Sequence, residues 1–158
     1  MKLASHGAAL ALAAAVLLAP PVAAAGENDA AVAAATRQAE QWLKAMDEHR
    51  YHEGWGRQAA VVKEGRTEED WIGEVSGPRE SLGRPVMRQL KGAEFSSRMR
   101  GAPAGQYVTV VYLTKFSNIP LASETILLTF EDGQWLVGGY SIADAEPPAA
   151  APQTKTKD

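Results

Sequence analysis

The sequence of 158 residues contains no cysteine. This absence excludes disulfide bonds, a catalytic thiol, and the bacterial lipid anchor that is attached to a cysteine. An ordinary hydrophobic core must therefore stabilise the fold without covalent cross-links.

The chain also lacks a strong positive charge. It has 16 Lys and Arg against 19 Asp and Glu, which gives a net charge of −3. A nucleic-acid-binding domain usually carries a basic patch, and the basic residues here are scattered, apart from pairs such as Arg98 and Arg100. We therefore expect no nucleic-acid partner.

Motifs for covalent catalysis and nucleotide binding are missing too. The sequence has no Gly-x-Ser-x-Gly elbow for a nucleophilic serine. Gly54-Trp55-Gly56 lacks the preceding strand and the third glycine of a dinucleotide-binding loop. We expect no cofactor.

The first 25 residues are typical of a signal peptide. Lys2 precedes an apolar run from Ala8 to Ala19, Pro20-Pro21 then breaks any helix, and Ala23-Ala24-Ala25 offers small residues to a signal peptidase. The apolar run is well below the ~20 residues that span a bilayer. We predict cleavage after Ala25, a periplasmic or secreted protein, and no membrane contact after cleavage. Loss of Lys2 changes the net charge from −3 to −4.

The rest of the chain divides into one domain, residues 28–144, and a tail, residues 145–158. The tail reads AEPPAAAPQTKTKD and has no large apolar side chain. Such a segment cannot bury enough surface to offset the entropy of ordering, so we predict that it is disordered.

The first half of the domain has the periodicity of helices. One stripe with 3- and 4-residue spacing predicts an amphipathic helix from Asp29 to about Arg50, and it consists of Ala31, Ala35, Ala39, Trp42, Met46 and His49. A short helical piece is expected over residues 55–63. Thr67, followed by three acidic residues, predicts the start of a further helix. We expect Gly77-Pro78 to interrupt or kink this helix and Leu82-Gly83 to end it.

The second half changes to the pattern of strands. Turn residues at 101–105, 118–120 and 132–133 separate four segments, near 86–100, 106–116, 122–131 and 134–142. Asp132-Gly133 is a strong hairpin signal. Helices followed by a meander predict an α+β fold, with the helices packed on one face of a curved, four-stranded antiparallel sheet.

The chain also resembles a known family. The resemblance is carried by Trp42-Leu43, Tyr51, Trp55, Trp71, Arg79 and Leu82-Gly83 in the helical half, and by Gly101-Ala102-Pro103, Tyr107-Val108, Phe116-Ser117-Asn118, Glu124-Thr125, Asp132-Gly133, Trp135 and Gly139-Tyr140 in the strand half. Over roughly residues 30 to 142 the sequence is similar to the bacterial domain-of-unknown-function family 4019 (DUF4019). This resemblance implies a secreted or periplasmic protein with a cone-shaped, nuclear-transport-factor-2-like (cystatin-like) fold. It implies no activity, and Gly77-Pro78 departs from the uninterrupted helix that the family leads us to expect.

Glu124 is the candidate catalytic residue. By the period of two along a strand, it shares a face with Ile126, Leu128 and Phe130. A carboxylate on an apolar face is expected to have a raised pKa, which suits a general acid or base. The alternative is a structural role, in which Glu124 reaches water or pairs with a nearby Arg or Lys.

The candidate ligand-binding residues are aromatic side chains and one arginine: Tyr51, Trp55, Arg79, Tyr107, Tyr112 and Tyr140. Tyrosine hydroxyls inside a cone could converge on a polar group of a ligand, or the rings could be half-buried with their hydroxyls at the rim. Alternation places Tyr107 and Tyr112 on opposite faces of one strand. Arg79 could bind an anion or cap a buried carboxylate such as Glu124.

No metal site is expected. His49 and His52 have the spacing of a shared helix face, but no third ligand is fixed by the spacing. We interpret them as surface residues at a helix end. Trp42, Trp55, Trp71 and Trp135 are interpreted as core residues.

These observations favour a non-enzymatic ligand- or protein-binding module of the cell envelope. Its partner would be a small apolar ligand or an envelope protein, and the fold implied by the resemblance often forms homodimers through the sheet. The alternative is a small enzyme that acts on an apolar molecule with Glu124 as acid or base. A cone filled by Trp42, Met46, Trp71 and Leu128 would favour the module, and a deep cone with Glu124 and a tyrosine hydroxyl would favour the enzyme.

Overall fold

The computed structural model describes residues 22–145. Most of the predicted signal peptide and nearly all of the predicted disordered tail lie outside the described residues. Four helices are followed by four strands: α1 (Val22–Asp47), α2 (Tyr51–Gly56), α3 (Ala60–Lys63), α4 (Glu68–Leu82), β1 (Pro85–Ser96), β2 (Tyr107–Phe116), β3 (Ala122–Glu131) and β4 (Gln134–Asp144). No helix within this range is long and apolar enough to cross a bilayer.

Helix α1 follows the predicted stripe but has different ends. It begins at Val22, before the expected start at Asp29, because the intervening residues are rich in alanine, the strongest helix former. Ala35, Ala39, Trp42 and Met46 of the stripe are buried. The helix ends at Asp47, since His49 adopts a left-handed conformation with φ of 57° and is exposed.

Helix α4 confirms one prediction and corrects another. The hydroxyl of Thr67 accepts a hydrogen bond from the backbone of Asp70, whose side chain in turn accepts one from the backbone of Thr67, so the two residues form a capping box. The expected interruption at Gly77-Pro78 is wrong, because the helix continues to Leu82. Pro78 deprives the carbonyl of Glu74 of its helical donor. Glu74, Gly77 and Pro78 are exposed, so water can donate the missing hydrogen bond to the carbonyl of Glu74.

The strands form the expected antiparallel meander in the order β1-β2-β3-β4. The β3–β4 turn has positive φ at both Asp132 (49°) and Gly133 (80°), as a type I′ hairpin turn requires. Helix α1 contacts all four strands. The fold is therefore an α+β fold with its helices on one face of an open sheet.

The space between helix α1 and the sheet is filled. Trp42, Met46, Trp71 and Leu128 belong to one hydrophobic cluster and are each almost fully buried. On the opposite face of the sheet the alternate residues, such as Val111, Leu113 and Leu127, are only half-buried. A homodimer through this face stays a prediction.

Strand β4 is an edge strand with two unlike halves. The segment before α3 runs beside its first half. There the backbone N–H of Ala59 donates to the carbonyl of Val137 (2.9 Å), and the N–H of Val137 donates to the carbonyl of Arg57 (2.9 Å). Helix α4 packs mainly against α2 rather than against the sheet. A gap therefore remains between α4 and the second half of β4.

The connection from α4 to β1 depends on Gly83. Its backbone has φ of 75° and ψ of −166°, a region that only glycine adopts without strain. A Cβ there would also collide with the hydroxyl of Ser117. We expect Gly83→Ala to lower the free energy of unfolding, measured by urea denaturation, by at least ~2 kcal/mol.

The matched control for this prediction is Gly73→Ala in α4. A Cβ at Gly73 meets no atom within 4 Å, so alanine should raise the free energy of unfolding by ~0.5–1 kcal/mol through helix propensity. Equal effects of the two substitutions would contradict the assigned role of Gly83.

Candidate functional site

Four charged side chains meet between the helices and the sheet, and we call them the ion cluster. They are Asp47 at the end of α1, Arg79 of α4, Arg88 of β1 and Glu124 of β3. Their side chains are 14%, 5%, 18% and 0% exposed, respectively. Two positive and two negative charges balance one another, which makes the burial of all four tolerable.

Both carboxylate oxygens of Glu124 are occupied by donors from within the protein. Its Oε1 accepts hydrogen bonds from Arg79 (3.2 Å), Arg88 (3.3 Å) and the hydroxyl of Tyr140 (2.7 Å). Its Oε2 accepts from Nε of Arg88 (2.7 Å) and from the hydroxyl of Thr114. Glu124 therefore has its hydrogen-bonding capacity filled without a ligand.

Asp47 holds the same two arginines from the helix side. Arg88 donates to both of its oxygens, at 2.6 and 3.1 Å, and Arg79 donates to Oδ1. Arg79 also donates to the hydroxyl of Tyr140 at 2.6 Å, and its guanidinium lies 5.3 Å from the centre of the Phe116 ring. The cluster thus ties the end of α1 and the last turn of α4 to β1 and β3.

The electrostatics of Glu124 differ from the sequence-based expectation. Burial alone would raise the pKa of Glu124, but the hydrogen bonds and positive charge of Arg88, with the hydroxyls of Thr114 and Tyr140, outweigh it and hold the pKa below its usual value. The predicted raised pKa is therefore wrong, and Glu124 is ionised at neutral pH. Burial and the neighbouring Glu124 raise the pKa of Tyr140, against the effect of Arg79, and keep its hydroxyl protonated.

The structure brings together three of the residues that the sequence singled out: Glu124, Arg79 and Tyr140. Two roles were considered for Arg79, binding an anion and capping a buried carboxylate. In the structure Arg79 caps the buried carboxylate of Glu124. Three further residues of the site, Asp47, Arg88 and Thr114, were not predicted from the sequence pattern as partners of Glu124. Arg88 carried a signal, since a charge beside apolar residues such as Met87 and Leu90 is a candidate partner for a buried acid.

Within residues 22–145, the other candidate residues form no hydrogen bond with the ion cluster. Tyr112 is paired in register with Glu124, and burial raises the pKa of its hydroxyl to about 12. That hydroxyl is buried and has no hydrogen-bond partner among the described residues. Tyr107 lies on the other face of β2 and donates to the carbonyl of Pro103 at 2.8 Å.

Tyr51 and Trp55 belong to α2. The hydroxyl of Tyr51 lies 3.0 Å from Nδ1 of His49, and the Trp55 ring lies 5.8 Å from that of Trp71. Trp55 is half-buried, whereas Trp42, Trp71 and Trp135 are buried as predicted core residues. Within residues 22–145, no three His, Asp or Glu side chains are grouped so that they could hold a metal ion.

An open cleft of about 410 Å³ lies in the gap between α4 and the second half of β4. Its apolar lining consists of Met46, Val75, Pro78, Leu82 and Ile142. Arg79 and Tyr140 also line the cleft and separate it from Glu124. We call this space the α4–β4 cleft. Its volume lies within the range of small-molecule sites.

Fold and site together define an α+β domain whose helices are joined to an open sheet by a buried ion cluster, with an apolar cleft beside it. The chain belongs to the family described as "Protein of unknown function (DUF4019)", whose family model matches residues 38–140. The matched range contains all four residues of the ion cluster. No curated protein and no solved structure matches the chain. Membership of the nuclear-transport-factor-2-like superfamily and a cone shape therefore stay predictions.

The ion cluster predicts a large effect of one substitution. Glu124→Gln leaves Arg79 and Arg88 with Asp47 as their only carboxylate in the cluster, so a positive charge is buried without compensation. We expect a loss of about 3–5 kcal/mol in the free energy of unfolding at neutral pH, measured by urea denaturation. Glu94→Gln, at an exposed position of β1, is the matched control. It should change the free energy of unfolding by less than about 0.5 kcal/mol.

The same variant should alter the pH dependence of stability. Because the folded protein lowers the pKa of Glu124 from the ordinary 4.5, the unfolded chain binds this proton more tightly. The stabilisation is present above about pH 5 and is lost as the pH falls through the folded-state pKa. The free energy of unfolding of Glu124→Gln should therefore fall less steeply than that of the unmodified protein below about pH 5. Parallel curves would contradict the assigned ionisation of Glu124.

Proposed function

We propose that this protein is a non-enzymatic binding module of the cell envelope and that the α4–β4 cleft holds its ligand. The observation that carries the proposal is the contrast between a filled interior and an open edge. Trp42, Met46, Trp71 and Leu128 occupy the space between helices and sheet, while the apolar cleft of about 410 Å³ stays open beside them. A small ligand with an apolar part fits such a site.

The state of Glu124 argues against the alternative function as an enzyme. A general acid must carry a proton, and a general base must reach the proton that it removes. The lowered pKa of Glu124 leaves it without a proton at neutral pH. Its oxygens are buried and bonded to Arg79, Arg88, Thr114 and Tyr140. The same contacts stabilise the fold, which is sufficient to explain the cluster.

Location in the envelope rests on the signal peptide predicted for residues 1–25. The structure is compatible with cleavage after Ala25, although α1 begins at Val22. Residues 26–30 are exposed, and Ala31 and Val32 pack against the hydrophobic core. Cleavage after Ala25 would therefore leave these core contacts of α1 intact.

The export prediction is tested by expressing the full chain in a bacterial host and measuring the mass of the protein in the periplasmic fraction. We expect a chain that begins at Gly26. Ala25→Phe should block processing, because signal peptidase requires small residues at alternate positions, and Ala24→Phe at the middle position is the control that should not. Intact protein recovered from the cytoplasm would contradict export.

Ligand binding in the cleft is tested by titrating the isotope-labelled protein with octanol and following the backbone amide signals. We expect the largest shifts at Val75, Leu82 and Ile142. Ile142 lies opposite Glu124 in register and lines the cleft, so Ile142→Trp should fill the site. This variant should weaken octanol binding at least about tenfold, which corresponds to ~1.4 kcal/mol.

The control is the neighbouring residue of the same strand. Ala143 is exposed and points to the other face of the sheet, because side chains alternate along β4. Ala143→Trp should leave octanol binding unchanged. Equal weakening by both variants, or shifts centred elsewhere, would refute the assignment of the ligand to the α4–β4 cleft.

A further inference from the structure

The α4–β4 cleft has a distinct electrostatic character. Its apolar lining accounts for affinity toward hydrocarbon, but an amphiphilic ligand also has a headgroup, which is neutral, anionic or cationic. The charges on and around the cleft decide which headgroup is accepted.

Within residues 22–145, no positive charge that lines the cleft is available to an anion. Among these described residues, Arg79 is the only basic one that lines it. This side chain is 5% exposed and already paired with Glu124 and Asp47. An anionic headgroup would have to displace one of these internal carboxylates, which would then be buried without a partner.

The two elements that form the cleft carry more acidic than basic residues. Helix α4 carries five acidic residues and a single arginine, Arg79, and β4 carries Asp144 and no basic residue. Glu74 lines the cleft directly, and its side chain is 59% exposed. Its ion pair with Arg66 (2.8 Å) lies at the surface, where such pairs contribute little and leave the carboxylate open to a competing cation.

The remaining nearby base does not change this balance. Arg84 lines a smaller depression of about 100 Å³ on another side of Arg79, together with Asp47 and Glu80. Among residues 22–145, Glu74 is therefore the acidic residue that lines the apolar cleft, and at low ionic strength the field of its charge extends about 10 Å or more into solvent.

We propose that the α4–β4 cleft selects small amphiphiles whose headgroup is positively charged, with the hydrocarbon against Val75, Leu82 and Ile142 and the cation beside Glu74. This inference rests on the proposed function of the cleft as a ligand site. Charge complementarity decides the headgroup, and the volume of about 410 Å³ favours a small molecule over a folded partner.

The test compares three probes with the same hydrocarbon chain: octyltrimethylammonium, octanol and octanoate. Binding to the full chain is measured by calorimetry at low salt. We expect octyltrimethylammonium to bind about fivefold more tightly than octanol, the ratio that one opposite charge near 4 Å gives in water. Octanoate should bind more weakly than octanol, and added salt should reduce both differences.

Two matched variants locate the effect. Glu74→Gln removes the carboxylate that lines the cleft, and Glu69→Gln removes an exposed carboxylate of the same helix that does not line it. Both change the net charge equally. The cation preference is the affinity for octyltrimethylammonium divided by the affinity for octanol. We expect this ratio to fall to about 1 in Glu74→Gln and to stay above about 3 in Glu69→Gln.

The outcomes separate the two proposals. Binding of all three probes with equal affinity, or equal effects of the two variants, would overturn the charge selectivity and leave the cleft as a ligand site. Absence of binding by all three probes would overturn the proposed ligand site itself.

Discussion

The balance of charge in the buried ion cluster is the constraint on which the rest of the structure depends. Glu124 is fully buried, so its charge must be compensated by groups whose positions are fixed. Arg88 of β1 and Arg79 of α4 both bind Glu124, and Asp47 at the end of α1 binds both arginines. Each of the four elements that carry these residues is therefore held at one position relative to the others.

The pairing of Arg79 with Glu124 and Asp47 also affects the surface beside the ion cluster. Because Arg79 points inward to Glu124, α4 is fixed through its last turn while its contacts with the sheet stay few. This arrangement leaves the α4–β4 cleft open, and half-buried apolar residues such as Val75, Leu82 and Ile142 line it. The buried ion cluster is thus part of the structural framework, and the cleft at the edge of the domain is open to solvent.

The elements of the fold could largely be predicted from local sequence. The Asp132-Gly133 turn, the capping residue Thr67 and strands β2, β3 and β4 lie where the pattern placed them, because each depends on interactions within a few residues. Strand β1 ends at Ser96, before its predicted end near residue 100. Of the interruption or kink predicted at Gly77-Pro78, the interruption was wrong for a related reason. Proline is unfavourable inside a helix because it removes a backbone hydrogen bond. The cost is smaller at Pro78, because this residue lies on the exposed side of α4, where water can replace the lost hydrogen bond.

The sequence by itself determined the α+β order of elements, the core aromatics such as Trp42 and Trp71, and the placement of a carboxylate, Glu124, on an apolar strand face. Only the tertiary structure decided what that carboxylate does. Its pKa depends on Arg88 and on the hydroxyls of Thr114 and Tyr140, and the charge of the cluster depends on Asp47 from a distant helix. These contacts join residues far apart in the chain, and a periodic pattern describes only near neighbours.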